Sequence, residues 1–343
     1  MTEEIDLIKL PELPVIEVVD DLIQVYKEFM VIRAALQLKV FDWMAENGSA
    51  TIEDISKGTK IPIEYMAPLI GMLFYLDIVR RSGEKYLVSP SANLHFVTNS
   101  RYYQGDIIMA LAEPESPWND LKTYLTSGET KTTFDQETPL MGASHAEQEI
   151  RGMLKNITTV ISRWAGFKDA KSFLEISSGH GLYTMATCQI HPDLKASVLE
   201  QPASSELLQQ NITRYEMKDR ITPIKGKLGS LPEGKYDIIL VSHVLYADQN
   251  RLDAILKDIS AHLNEGGLFI SNNWFIRESE GTGMQGLYEL ELGIHNKYHA
   301  IKDREGYEKN CNENGLVIFQ TGVLRSAYGE STIHMGTKTG SGA

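Results

Sequence analysis

The sequence predicts an α/β protein in two parts, an N-terminal helical unit of winged-helix pattern and a C-terminal doubly wound parallel sheet. Three observations predict it. Apolar residues recur at three- and four-residue steps from about Val15 to Asn47 (Val18, Leu22, Val25, Phe29, Ile32, Leu36, Val40, Phe41, Met44), the period of a helix. From Lys171 onward, strand-like and helical stretches alternate. Where that alternation begins stands KSFLEISSGHGLY, Lys171–Tyr183: an apolar run, a turn through Ser177, Gly179 and Gly181, then a helical stretch from Tyr183 to Ile190. Glycines there let backbone approach a ligand closely at a helix start.

Each element follows in order. After the first helical stretch, Thr51 and Asp54 are set as a capping box for a short helix, Thr51 to Ser56. A helix after Pro62 carries Met66, Leu69, Ile70, Leu73 and Leu76. Ile78–Arg80, a turn at Ser82-Gly83 and Tyr86–Val88 complete a hairpin, hence the winged-helix pattern. The helix that would enter a DNA groove contains Glu64 and no Lys or Arg, whereas phosphate contacts need basic residues. Its apolar surface predicts burial against a partner subunit instead. Residues 102–167 read as helical around a loop, Thr126–Gln136, with a helix Glu147–Trp164 leading into the second domain. The predicted strands are Phe173–Ile176, Ala196–Glu200, Ile221–Lys225, Tyr236–Val241 and Gly267–Asn272. An edge hairpin, Val317–Val323 with Ser331–Thr337, precedes a frayed tail, Gly336–Ala343. The expected domains are 1–100, 101–167 (a helical linker and acceptor-pocket segment) and 168–343.

Composition narrows the function. The 343 residues are 42% hydrophobic, enough for two cores, and the net charge of −13 disfavours nucleic acid and anionic membrane as partners. Cys188 and Cys311 form no disulfide framework or zinc motif, and read as free thiols of a cytoplasmic protein. The acidic, proline-punctuated N-terminus is no signal peptide, and no apolar run reaches the roughly 18 residues of a membrane span.

The glycine segment separates two nucleotide readings. A dinucleotide fold wants a third glycine further into the helix, where this chain has Leu182, Tyr183, Thr184 and Met185. An acid before the turn (Glu175), two glycines in it and an acid after the second strand (Glu200) suit a nucleoside without phosphates. The turn approaches an amino-acid moiety and Glu200 accepts from ribose hydroxyls, so S-adenosylmethionine is the predicted cofactor.

With these residues in view, the chain resembles the plant-type O-methyltransferase family, the caffeate- and acetylserotonin-like enzymes, over nearly its whole length. The resemblance is carried by Ala34–Val97, by SPWNDLKTYLTSGE (Ser116 to Glu129), by Glu175–Gly181 with Ser177 at the family's first glycine, and by Glu200-Gln201-Pro202. It continues in YDIILVSHVLYAD and LNEGGLFISNNW. It implies a winged-helix dimerisation domain, a Rossmann-like class I methyltransferase domain, a homodimer and a small-molecule acceptor methylated on oxygen by default. Glu175, Ser177, Gly179, Gly181, Glu200, Gln201, Lys227, Leu228 and Ser242 would border the cofactor. Trp118, Met153, Trp274, Tyr288, Tyr298 and His299 would border the acceptor.

Two departures matter. Gly226-Lys227 stands where the family has Gly-Asp near the adenine, and Tyr246 stands at the family's catalytic histidine. A general base is typically worth about 10²–10⁴-fold, and tyrosine, with a pKa near 10, is a poor one. Tyr246 would orient the nucleophile or line the pocket, and His243 and His295 are replacement candidates. His295 and His299, at i and i+4, allow three readings: a solvated face, a substrate base, or a metal pair as in a C-methylating branch of the family. No metal is assigned. The rival to catalysis is a protein of this fold that binds cofactor and has lost or changed methyl transfer.

Overall fold

The structure is a computed structural model that describes residues 17–114, 116–127, 138–245, 251–275, 286–287, 290, 293–294, 304–326 and 329–338. The chain divides into two compact units, Met1–Gly105 and Asp106–Ala343, so residues 106–167 belong with the sheet.

The first unit contains α1 (Glu17–Gln37), α2 (Val40–Asn47), α3 (Ile52–Thr59), α4 (Ile63–Tyr75), a hairpin β1 (Val79–Ser82) and β2 (Lys85–Val88), and α5 (Pro90–His95). The periodic stretch read as one helix is two, because Lys39 takes a left-handed conformation (φ 55°) and turns the chain between them. Hydrophobic period alone does not reveal a one-residue break. The capping box forms as expected: Asp54 N–H donates to Thr51 Oγ1, and Thr51 N–H donates back to the Asp54 carboxylate. Ser82 pairs with Lys85, so the hairpin turn is Gly83-Glu84, one residue later than predicted, with Gly83 at φ 63°. Phe41, Met44, Ile55, Met66, Ile70 and Leu73 are the buried centre of this unit.

The second unit opens with α6 (Gly105–Leu111), α7 (Leu121–Ser127), α8 (Pro139–Ile150) and α9 (Met153–Ser162). The predicted helix Glu147–Trp164 is interrupted at Arg151-Gly152, where Gly152 has φ 142°, a conformation closed to other residues. Its N-terminal half starts earlier, with Thr138 accepting from Met141 N–H and Pro139 at the first position.

Strands β3 (Ser172–Ile176), β4 (Lys195–Leu199), β5 (Ile221–Ile224), β6 (Tyr236–Ser242) and β7 (Leu263–Asn273) pair in parallel in the order β5-β4-β3-β6-β7. β9 (Gly329–Lys338) then joins β7 antiparallel, and β8 (Leu316–Ser326) closes the edge. The tail expected to fray from Gly336 is paired as far as Lys338.

Alternate residues feed two cores. Phe173, Ile238, Leu240, Leu268 and Ile270 pack under α9, α10 (Leu182–Ile190) and α11 (Ser205–Arg214). Leu174, Ile176, Ile239, Val241 and Phe269 pack under α12 (Leu252–His262) and the final helix Arg304–Glu313. Both faces are covered, which is why these strands read as continuous apolar runs.

At the end of the sheet remote from the glycine turn, Asp237 ties three strands together. Its Oδ2 accepts from Lys171 N–H (2.7 Å), Ser172 N–H (3.0 Å) and Ser172 Oγ (3.0 Å), and its Oδ1 accepts from Asn264 Nδ2 (2.7 Å). Asp237→Ala strands these donors and is expected to lower unfolding free energy by about 1–3 kcal/mol in urea titrations, with ligand affinity unchanged.

Candidate functional site

The strand order reverses between β3 and β6: β4 and β5 lie to one side, β6 and β7 to the other. Connections that leave in opposite directions open a crevice at the strand C-termini, where open α/β sheets bind ligands. The glycine turn lies at that point, immediately after Ile176.

The turn is held from beneath by Glu175, which is fully buried. Its Oε1 accepts from Ser177 Oγ (2.6 Å), and its Oε2 accepts from Thr184 N–H (2.8 Å) and Thr184 Oγ1 (2.6 Å). Burial pushes this carboxyl up, against the pull of its three donors. Glu175 therefore engages the turn and the first turn of α10 with both oxygens. Ser177 faces inward with it, and its Oγ also lies 3.4 Å from Gly179 N.

Gly179 (φ 84°) and Gly181 (φ 74°) are both left-handed. A Cβ on Gly179 would lie 2.9 Å from Gln201 Cβ and backbone N, so only glycine lets the turn meet the end of β4 so closely. Glu200 and Gln201 stand there, both half-buried. Glu200 Oε1 accepts from Ser205 Oγ at 3.2 Å, and among the described residues its Oε2 has no hydrogen-bond partner. After β5, Lys227 is exposed and bridges to Ser230, while Leu228 packs against the core beneath α12.

Across the crevice hydrogen bonds tie β7 to the end of β6. Asn272 Nδ2 donates to His243 Nε2 (2.9 Å) and to Ser242 Oγ (3.3 Å), while Asn272 Oδ1 accepts from Ser331 Oγ (2.7 Å). The Tyr183 hydroxyl on α10 donates to Glu149 Oε2 on α8. With Nε2 accepting, neutral His243 carries its proton on Nδ1. His243 is itself left-handed (φ 55°), a strained conformation for a histidine, and its ring lies 4.2 Å from that of Trp274. Burial, with His145 a smaller cause, holds its imidazole well below the usual value, so it is neutral at physiological pH. Glu149 keeps an exposed edge on α8, but its carboxyl is turned inward and burial pushes it up to about 7.

The predicted site residues therefore divide into four groups. Glu175, Ser177, Gly179, Gly181, Glu200, Gln201, Ser242, His243 and Trp274 gather at the strand C-termini, with Lys227 and Leu228 just past β5. Trp118 is half-buried on a short 3₁₀ turn, Pro117–Asp120. Met153, expected at the acceptor, is buried in the core cluster under the sheet, its Sδ 3.9 Å from Ser331 Oγ. Tyr246, Tyr288, His295, Tyr298 and His299 lie outside the described residues. Sequence reasoning missed Thr184, Tyr183, Glu149, Asn272 and His180. Tyr183 meets Glu149, and Asn272 meets Ser242, across elements far apart in the chain, while Thr184 and His180 act through side-chain directions that spacing does not mark.

A parallel sheet in this order, ending in an antiparallel hairpin and carrying a glycine turn at its switch point, has the architecture of class I methyltransferases. No protein-family model matches the sequence. The chain is 22% identical over 321 residues to the N,N-dimethyltransferase OxyT of Streptomyces rimosus, covering 89% of this chain and 92% of that protein. Among solved structures it is similar to an O-methyltransferase family protein from Burkholderia thailandensis, with a TM-score of 0.76 at 15% identity over 96% of this chain and 99% of the other. It is likewise similar to human N-acetylserotonin methyltransferase in complex with S-adenosylmethionine, with a TM-score of 0.72 at 15% identity over 96% of this chain and 100% of the other. At these identities the likeness to the solved structures is one of fold.

Glu149 gives a pH signature. Its folded pKa of about 7 exceeds the ordinary 4.5, so the stability it contributes is complete below pH 4.5 and is lost as pH rises through 7. Glu149→Gln removes that loss. Chemical denaturation across this range should show the variant gaining on the wild type as pH rises from 4.5 to 7, with the difference level above.

Proposed function

We propose that this chain is an S-adenosylmethionine-dependent methyltransferase acting on a small molecule, with oxygen as the default acceptor atom. One observation carries the reading: two left-handed glycines at the switch point lie against the end of β4, beside a half-buried Glu200 of which one carboxylate oxygen has no partner among the described residues. That set of groups fits a nucleoside carrying an amino acid. The backbone of Gly179 and Gly181 admits the methionine end, and Glu200 accepts from ribose hydroxyls. Gln201, Lys227 and Leu228 border the base, while Glu175 and Ser177 support the turn.

The cofactor supplies an electrophilic methyl group, and the protein's part is positioning and exclusion of water. Ser242, His243 and Trp274 form the wall opposite the turn, with His243 a neutral positioning group. In this reading Tyr246 orients the acceptor's nucleophile, and His295 or His299 touches the substrate beside Trp118, Tyr288 and Tyr298. The likeness to an N,N-dimethyltransferase over 89% of the chain makes nitrogen the second reading for the acceptor atom.

The first unit is read as a winged-helix dimerisation unit. Val18, Leu22, Val25 and Tyr26 on α1, and Tyr65 and Tyr75 on α4, are each more than half exposed in the single chain, at 61–67%. An apolar patch of this kind supports a subunit interface.

Two measurements test these statements. Calorimetry with S-adenosylhomocysteine should give a dissociation constant in the micromolar range (about −8 kcal/mol), with Glu200→Ala weakening it about tenfold or more. Failure to bind at millimolar ligand overturns the cofactor reading. Light scattering should return about twice the 38.5 kDa chain mass. A monomer at micromolar concentration overturns the interface reading.

A further inference from the structure

Gly142, His145 and Glu149 stand at i, i+3 and i+7 on α8, so they share one face of the helix. That face meets the site at three places. At Gly142 it abuts the chain just past Glu200-Gln201-Pro202, where an added Cβ would lie 2.7 Å from the Ala203 carbonyl oxygen and from Ser204 Oγ. At Glu149 it meets α10, where the Tyr183 hydroxyl donates to Oε2. Between these two, His145 is close enough that its charge acts on both His180 in the glycine turn and His243 at the end of β6. The face is therefore turned toward the C-terminal ends of β3, β4 and β6, across the crevice.

Glu149 carries the chemistry of this face. Only one of its oxygens is engaged: among the described residues Oε1 has no hydrogen-bond partner, and it is not one of the enclosed polar atoms. The residue is half-buried and so keeps open surface. Burial, opposed by the bond from Tyr183 and reinforced by the charge of Glu175, pushes the carboxyl up to about 7. Tyr183 on α10 and Glu175 on β3 are the ionisable groups set against it. A carboxyl poised there gains and loses its charge near neutral pH, which suits a general base. His243, the candidate nearest the same wall, already spends Nε2 on Asn272.

We propose that Glu149 is the acceptor-side base of the site, its Oε1 facing the methyl being transferred and accepting the N–H or O–H of the nucleophile. The nucleophile's lone pair forms the bond to the methyl carbon while the carbon–sulfur bond breaks and leaves its electron pair on sulfur. The nucleophile's proton passes to Oε1 and from there to solvent. This rests on the S-adenosylmethionine reading above and adds to it the proton acceptor that a Tyr246 orienting the nucleophile does not supply. It also narrows the acceptor to a molecule that presents a hydrogen-bond donor, neutral or cationic, at its reacting atom, because a carboxylate there repels an anion.

Sinefungin is a suitable probe, since its ammonium group stands where the sulfonium carries its methyl, within reach of a carboxylate beside the nucleophile. Calorimetry at pH 8 would compare it with S-adenosylhomocysteine, which has neither methyl nor charge at that point. Glu149→Gln keeps an acceptor for Tyr183 and removes the charge. The expected result is that Glu149→Gln loses about tenfold or more for sinefungin and less than about twofold for S-adenosylhomocysteine. In the wild type the ratio of the two affinities should shift toward sinefungin from pH 6 to pH 8, as Glu149 ionises through about 7, and in the variant it should stay level. Unchanged sinefungin affinity in Glu149→Gln overturns the proposal. So does an equal loss for both ligands, which would mark a collapsed site, and so does a wild-type ratio that ignores pH. A wild-type protein that binds neither ligand overturns the cofactor reading itself, an outcome distinct from the others.

Discussion

The buried carboxylate of Glu175 is the constraint on which the site depends. Its oxygens accept from Ser177 and Thr184, so one side chain defines both the glycine turn after β3 and the first turn of α10. A buried carboxyl group is costly unless its lone pairs are filled, and here three donors fill them from within the element it organises. Gly179 and Gly181 take left-handed conformations that glycine reaches without steric cost, and the turn is fixed at both ends. With the turn fixed, the end of β4 lies within contact of Gly179, and Glu200 is brought to the same crevice.

The second organising feature is a pair of buried contacts: Asn272 ties β7 to Ser242 and His243 at the end of β6, and Tyr183 ties α10 to Glu149 on α8. The bond from Asn272 fixes the His243 ring as an acceptor at Nε2, where that residue stands at positive φ at the end of β6. A histidine so held is a rigid wall. A freely titrating base needs a pKa near the working pH, and burial takes His243 far below it.

The first unit follows a different rule. Its centre is conventional, with Phe41, Ile55, Met66 and Ile70 fully enclosed, yet α1 and α4 turn large apolar residues outward. The same helix positions that read as amphipathic in the sequence leave part of their apolar surface uncovered by the single chain. The pattern says that such a face exists, and the fold of one chain shows how much of it the chain itself does not bury.

The sequence by itself determined the order and type of nearly every element, because period-two and period-3.6 patterns are local and strong. It also determined the glycine turn and the acid after β4, since each sits at a fixed offset from an apolar strand. It did not reveal the break at Lys39 or the interruption at Gly152, where one residue's φ overrides an unbroken hydrophobic period. Only the tertiary structure decided what the polar residues do. Glu175 turns inward to hold the turn, Met153 joins the core, and the buried His180 ring holds the backbone at the start of α10. Those outcomes depend on which distant side chains come within about 3 Å of one another, and that is a property of packing in three dimensions that no spacing along the chain encodes.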